Sequence, residues 1–289
     1  MPSRIALATT RDLPVIDADE EALLAHLPNA DVVAWEDDID WSAYDAVILR
    51  STWNYTERLP EFLAWLEHVD SVTRLHNPLP VIRWNTDKRY LADLAAVGIP
   101  VVPTTFVSQV DQASADAMVG HVVVKPTVGA GSKGAKLFRD DPAAALAHVD
   151  DLHAQGRIAM IQPYLDQVDE QGETALIFVG GKFSHAARKA AILSRDMSWS
   201  TGIYADEKVA FATPSDAERD LAALILETLP SIVPDAARLA YARVDLLPTS
   251  DGPVVLELEL TEPSLFLGLD PAAPARAAAA FAALGVETP

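Results

Sequence analysis

The chain of 289 residues contains no cysteine. Disulfides, thiolate metal sites and a cysteine nucleophile are therefore excluded. It is also short of positive charge, with 22 Lys and Arg against 42 Asp and Glu and a formal net charge of −20. Nucleic acid and anionic membrane both require a basic face, so neither is an expected partner. The same imbalance means that any anionic ligand needs a site that is locally basic or bridged by a metal. No apolar run approaches the roughly 20 residues that span a bilayer. The apolar run within MPSRIALATTRDLP at the N-terminus is too short for a signal peptide. The expectation is a soluble cytoplasmic protein. Half of the residues are hydrophobic, and the length supports a large core in two or three subdomains. No internal repeat or long linker interrupts it.

What is present begins as an α/β pattern. Strands are expected at 5–9, 30–35 and 46–49 and helices at 17–27 and 59–69, an order that suggests an open sheet. The run Ala46-Val47-Ile48-Leu49 is continuously apolar, as in a buried parallel strand. Arg50-Ser51-Thr52-Trp53-Asn54-Tyr55 follows its carboxyl end, where open α/β sheets bind ligands. Arg50 is suited to a carboxylate, and Trp53 and Tyr55 to pocket walls. Packing of both rings at the sheet edge, with Arg50 paired to an acid, is the equal alternative.

Three further stretches carry phosphate chemistry. A helix over 85–98 is expected, with Asn85 or Thr86 as its cap and Gly98 as its stop. Lys88 in its first turn is unfavourable for the helix dipole unless an anion binds there, or unless it is simply solvated. A strand at 122–126 ends in Lys125-Pro126 and runs into a loop holding Gly129, Gly131 and Gly134. No helix follows these glycines, and no Gly-Lys-Ser/Thr occurs, so the loop is neither a dinucleotide fingerprint nor a Walker loop. Its backbone N–H groups can cradle phosphates, with Ser132 and Lys133 at the tip; a surface hairpin turn is the plainer reading. Beyond it, strands are expected around 158–162, 173–179 and 182–189. The middle hairpin ends in Arg188 and Lys189, both suited to an anionic substrate, while His185 reads as structural. The polar and aromatic segment 190–213, with Trp199 and Tyr204, reads as a loop over the site. Helices at 216–229 and 275–284 complete the pattern.

The most informative stretch is 243–264. Arg243-Val244-Asp245-Leu246-Leu247 alternates in polarity, 248–253 has turn composition, and Val254 to Leu260 returns with Glu257 and Glu259 on one face. If the register sets Asp245 opposite them, three carboxylates share a face, and a hard cation with oxygen ligands offsets their repulsion. Arg243 has the same parity and is a candidate phosphate clamp. A solvated acidic face is the plainer alternative.

The ordered set Lys88, Lys125, glycine loop, Gln162-Pro163-Tyr164-Leu165, Glu173, Arg243-x-Asp245 and Glu257-x-Glu259 resembles the ATP-grasp superfamily of carboxylate–amine ligases, in particular its glutathione-synthetase-like branch. The resemblance covers nearly the whole chain. It implies an α/β ATP-grasp fold with an N-terminal open α/β (pre-ATP-grasp) substrate domain at 1–83, a central α+β lid domain at 84–160 and a C-terminal α+β domain with the metal site at 161–289. It further implies ATP and Mg²⁺ as cofactors. Lys88 and Lys125 would meet the ATP phosphates beneath the lid loop of Gly129, Gly131, Ser132, Lys133 and Gly134. Gln162, Tyr164 and Leu165 would hold adenine, and Glu173 the ribose. Asp245, Glu257 and Glu259 would ligate magnesium, with Arg188 and Arg243 as transition-state or substrate clamps. Glu259 departs from the pattern, since many members have Asn there. The runs 50–55 and 257–264 are similar to a subgroup that includes a D-cycloserine-forming cyclo-ligase acting on O-ureido-D-serine. This implies Arg50, Ser51, Trp53, Tyr55 and Ser264 as substrate residues, a small amino-acid-like carboxylate as substrate, and a homodimer or homotetramer. An intermolecular peptide or amide ligase, or a non-catalytic nucleotide-binding protein, remains open on the same fold.

Overall fold

The computed structural model describes residues 3–190 and 208–286. The expected loop at 190–213 falls largely outside them. Among the described residues, no helix is long and apolar enough to cross a membrane.

The first 76 residues build a parallel sheet. Strand β1 (Ile5–Thr9) is followed by helix α1 (Ala18–Leu24), β2 (Ala30–Ala34), β3 (Ala46–Leu49), α2 (Leu59–Val72) and β4 (Leu75–His76). The order is β2-β1-β3-β4. The central pair, β1 and β3, is buried on both faces and is accordingly apolar almost throughout. The chain winds one way through α1 and the other way through α2, so the topology switches between β1 and β3. Their carboxyl ends meet there, with the Thr9 and Ser51 hydroxyls 2.7 Å apart.

The expected single helix over 85–98 is two short ones, α3 (Leu79–Asn85) and α4 (Tyr90–Ala96). Asn85 closes a helix rather than opening one, and Lys88 lies in the link between the two. Tertiary hydrogen bonds override the local capping pattern. The Asn85 amide donates to the Leu258 carbonyl and its carbonyl accepts from Leu260 N–H, both at 2.7 Å. The Lys88 N–H bonds the Thr127 carbonyl at 2.8 Å.

A second sheet is antiparallel. It comprises β5 (Thr105–Val107), then, after α5 (Gln112–Ala117), β6 (His121–Pro126) and β7 (Lys136–Arg139), and, after α6 (Pro142–Ala154), β8 (Ala159–Pro163). Its order is β5-β8-β6-β7. The glycine loop joins β6 to β7. Gly134 needs its glycine, since its φ is +81° and a Cβ would sit 3.2 Å from the Pro126 ring.

The third sheet, also antiparallel, follows helix α7 (Gln167–Gln171). It contains β9 (Glu173–Val179), β10 (Lys182–Lys189), β11 (Val209–Ala212) and, beyond α8 (Asp216–Ile232), β12 (Tyr241–Thr249) and β13 (Gly252–Glu259); α9 (Ala273–Val286) ends the chain. The order is β11-β10-β9-β12-β13. Alternation divides its side chains between two cores. Leu176, Phe178, Ala242 and Val244 pack with α4 and α8, while Ala175, Ile177 and Tyr241 pack with α9 and the first sheet. Arg243 and Asp245 share the parity of Tyr241, so the second face carries both apolar packing and the polar site.

Candidate active site

A cleft of about 510 Å³ opens where the three sheets meet. The hairpin of β12 and β13 forms its floor in the register the acidic pattern requires. Asp245 pairs with Glu257 and Arg243 with Glu259, with a bulge just after Asp245. The carboxylates and the arginine therefore share one face.

Each carboxylate meets cations from elsewhere in the fold. Lys125, at the end of β6, holds Glu257 at 2.6 Å, and Lys88 stands 3.7 Å from its other oxygen. Lys88 also donates to the Gly129 carbonyl at 2.7 Å, which ties it to the glycine loop. Burial opposes ionisation of Glu257, yet the two lysines outweigh it and hold its pKa down to about 2. Arg243 grips Asp245 through Nε and Nη2, both at 2.9 Å. Lys189 bonds both Asp245, at 3.2 Å, and Glu173. Burial again opposes ionisation of Asp245, and Arg243 with Lys189 brings its pKa below the usual carboxylate range. Glu173 is pushed upward by burial, with Lys189 opposing and Asp245 adding to the rise.

At one end of the cleft, Val102, Leu165, Val168, Leu247 and Leu256 make an apolar slot, with Gln162 and Tyr164 beside it. The Gln162 amide donates to Thr104 Oγ1 at 2.9 Å and Tyr164 donates to Asp169, so both are oriented. The glycine loop covers the middle, with Gly129, Gly131, Ser132 and Lys133 on the wall. Lys133 reaches across to Glu57 of the first sheet's domain.

The opposite end is formed by Trp53, Tyr55, Thr261, Glu262, Ser264 and Phe266. Trp53, Tyr55 and Ser264 line the cleft. Arg50 and Ser51 lie behind its wall. Arg50 is almost wholly buried, donates to the Pro263 carbonyl at 2.7 Å and stands 3.8 Å from Asp19. It shapes this end without facing it.

Arg188 does not meet the site either. Side chains alternate along β10, and Arg188 turns to the Gln171 carbonyl at 2.9 Å, while Lys189 faces the carboxylates. Of the two, it is Lys189 that lines the cleft. The pairing of Lys189 with Glu173 across the β9–β10 hairpin was the available signal. Asn85, Tyr90 and Glu262 were also missed as cleft residues. Glu262 stood in the Thr261-Glu262-Pro263-Ser264 run, but nothing local set it apart from a solvated acid.

Magnesium takes oxygen donors, usually one or two carboxylates completed by substrate phosphates. Among the described residues no three His, Asp or Glu side chains converge as a metal cluster. Both Asp245 oxygens are already engaged by Arg243 and Lys189. Glu257 and Glu259 both line the cleft. The pKa of Glu259 is raised by burial, with Arg243 opposing and Asp245 and Glu257 adding to the rise. Glu257 and Glu259 are likewise paired, to Lys125 with Lys88 and to Arg243; carboxylates crowded on one face are what a hard cation relieves, so the donor set of Asp245, Glu257 and Glu259 fits magnesium with phosphate oxygens.

A family model described as the N-terminal domain of D-cycloserine synthetase DcsG matches residues 5–77. Over 252 residues the chain is 42% identical to the cycloserine biosynthesis protein DcsG of Streptomyces lavendulae, covering 82% of this chain and 83% of that one. The chain belongs to the D-cycloserine synthetase family. A crystal structure of D-cycloserine synthetase DcsG superposes with a TM-score of 0.88 at 38% identity, covering 97% of this chain and 99% of that one. D-alanine–D-alanine ligase of Bacillus anthracis in complex with ATP superposes at 0.66 with 15% identity, over 98% and 97% of the two chains. At that identity the likeness speaks for the fold alone, and the fold is ATP-grasp. This member of the synthetase family is therefore an ATP-grasp ligase by family and architecture.

Proposed function

We propose that the cleft binds Mg-ATP and a small amino-acid-like carboxylate, and that the protein joins carbon to nitrogen through an acyl phosphate. The reading is carried by the convergence of Lys88 and Lys125 on Glu257 beside the glycine loop. In a chain this acidic, two cations from separate elements make a local basic site of the kind polyphosphate needs.

The apolar slot at Leu165, Leu247 and Leu256 suits a planar base, with Gln162 and Tyr164 at its edge and Glu173 toward the ribose. Lys88, Lys125 and the N–H groups of the glycine loop hold the phosphates and exclude water. Magnesium on Asp245, Glu257 and Glu259 would supply charge neutralisation at the transferring phosphoryl group. Asp245 also anchors Arg243 and Lys189. The substrate carboxylate attacks the γ-phosphorus, the bond to the bridging oxygen breaks, and ADP leaves. A nitrogen lone pair then attacks the acyl carbon; the C–O bond breaks, phosphate leaves, and the nitrogen gives up its proton. Arg243 stabilises the charge on the transferring group. No enzyme nucleophile is needed, which agrees with the absence of cysteine.

The likeness to a D-cycloserine synthetase favours ring closure within one molecule of O-ureido-D-serine; the nitrogen that closes the ring carries a carbamoyl group, and cleavage of that N–C bond by water, releasing carbon dioxide and ammonia, completes D-cycloserine. The test is magnesium-dependent ADP release across D- and L-amino acids, small dipeptides and O-ureido-D-serine. Release with O-ureido-D-serine alone supports the cyclo-ligase reading. Release with a pair of separate acids would replace it by intermolecular ligation. A flat response without ATP binding would remove the reading.

A further inference from the structure

The segment from Leu260 to Phe266, between β13 and a 3-10 turn at Leu267–Leu269, makes no regular structure, yet its backbone is bonded almost throughout by side chains from distant elements. Asn77 and Tyr241 donate to the carbonyls of Leu260 and Thr261, both at 2.7 Å. Trp53 donates to the Glu262 carbonyl at 3.0 Å, Arg50 to Pro263 at 2.7 Å and Arg243 to Ser264 at 3.0 Å. His185 bonds the carbonyls of Leu265 and Phe266. Asp19 accepts the N–H groups of Leu265, Phe266 and Leu267 at 2.6, 3.1 and 2.7 Å. Arg50 and His185, which do not line the cleft, and Asp19, which does, find a role here.

A loop with its carbonyls so engaged offers a ligand mainly its side chains. Ser264 and Glu262 face the cleft. Glu262 is 9% exposed, receives the Tyr55 hydroxyl, and among the described residues makes no ion pair. Its carboxylate neighbour Glu259 adds negative charge, while Lys88 and Arg243 act on it only at longer range. Trp53 and Tyr55 supply aromatic walls at the same end. A buried carboxylate that makes no ion pair among the described residues, in a cleft also lined by Trp53 and Tyr55, is the chemistry that receives an ammonium group.

We propose that Glu262 is a substrate-binding residue that takes the ammonium group of a zwitterionic amino-acid substrate. The inference rests on the ligase reading above and extends it. The substrate's carboxylate turns toward Arg243 and the phosphates, and its ammonium toward Glu262. The pinned backbone makes the position of Glu262 preorganised, so the site discriminates against carboxylic acids that lack the charge.

The test pairs O-ureido-D-serine with its analogue lacking the α-amino group, for wild type, E262Q and E262D. ADP release is measured alongside thermal stabilisation in the presence of magnesium and a non-hydrolysable ATP analogue. Wild type is expected to prefer the ammonium-bearing acid by roughly 10- to 100-fold. E262Q loses that preference through KM, E262D recovers part of it, and the ATP and magnesium requirements stay unchanged. An unaltered preference in E262Q would overturn the proposal in favour of a structural role beside Tyr55. An equal loss for both acids with a raised magnesium requirement would overturn it in favour of a metal-linked role. Failure of the zwitterion to stabilise wild type would also overturn it. Stabilisation of wild type by the zwitterion, lost in E262Q, without any ADP release would uphold the ammonium site and sink the ligase reading.

Discussion

Glu257 and Glu262 stand five residues apart, line the same cleft and have opposite electrostatics. Glu257 sits between two lysines, and its pKa falls to about 2. Glu262 meets a tyrosine hydroxyl and another carboxylate, and burial with that neighbour raises its pKa to about 8. Both are largely withdrawn from water, so burial alone cannot separate them; the partners do. The end of the cleft around Glu257 is built to hold negative charge that arrives with positive charge already present. The end around Glu262 is the one proposed to receive a cation.

The largest test of this contrast removes the cations at the first end. Lys125→Ala is expected to lower kcat/KM for ADP release by about 10³-fold, as loss of a charge-stabilising group does. Glu257→Gln should be similarly disabling, because it leaves Lys88 and Lys125 mutually repelled and removes a metal donor. Near-wild-type turnover in both variants would remove the assignment of the phosphate end. Circular dichroism checks that the fold survives.

A smaller effect is expected at the pinned loop. Asp19→Ala strips an acceptor from three backbone N–H groups and leaves buried Arg50 without its nearest acid. A stability loss of about 2–4 kcal/mol follows from unsatisfied buried donors, measurable by denaturant unfolding. The KM of the carboxylate substrate should rise more than that of ATP. An equal rise in both would mean that the loop does not belong to the acceptor end.

The two acids should also differ in pH dependence. The ordinary glutamate pKa is 4.5, and that of Glu257 is depressed in the fold to about 2. Its contribution to stability is therefore present above pH 4.5 and lost as pH falls toward 2. Glu262 is raised from the same value to about 8, so its contribution is complete below pH 4.5 and lost as pH rises through 8. Without magnesium or nucleotide, unfolding midpoints of wild type should decline across that upper window, and E262Q should lessen the decline, the remainder belonging to Glu173 and Glu20, whose pKa values burial also raises. Parallel profiles would erase the contrast.

The smallest effect is expected where a basic residue turns away. Arg188→Ala should change turnover by less than about twofold, as surface substitutions usually do, whereas Lys189→Ala leaves Glu173 and Asp245 facing each other and should cost activity heavily. Steady-state kinetics on the pair decides it.

Much of the site was legible because strand periodicity is strict. The parity of Arg243, Asp245, Glu257 and Glu259 follows from a two-residue repeat, and the hairpin register bore it out. Lys125 at a strand end and the glycines after it were legible as punctuation. Parity by itself could not say which face of β10 meets the cleft, and the resemblance pointed to Arg188, whereas β9 and β12 beside the strand meet Lys189 through Glu173 and Asp245. The helix at 85–98 was misjudged because Asn85 bonds β13 backbone far along the chain, and no local pattern announces such a bond.

Composition and order by themselves determined that this protein has no thiol chemistry, that its basic groups are too few to be spread widely, and that an acidic hairpin follows two lysines and a glycine loop. Those are properties of residue identity and local geometry, which are present before folding. Tertiary structure alone decided which carboxylate is paired to lysines and which, among the described residues, makes no ion pair. It brought Lys88, Lys125 and Glu257 from three separate elements to one point, and it fixed an irregular loop by side chains from distant parts of the chain. A carboxylate's charge depends on what lies within a few ångströms of it in space, and sequence distance carries no record of that.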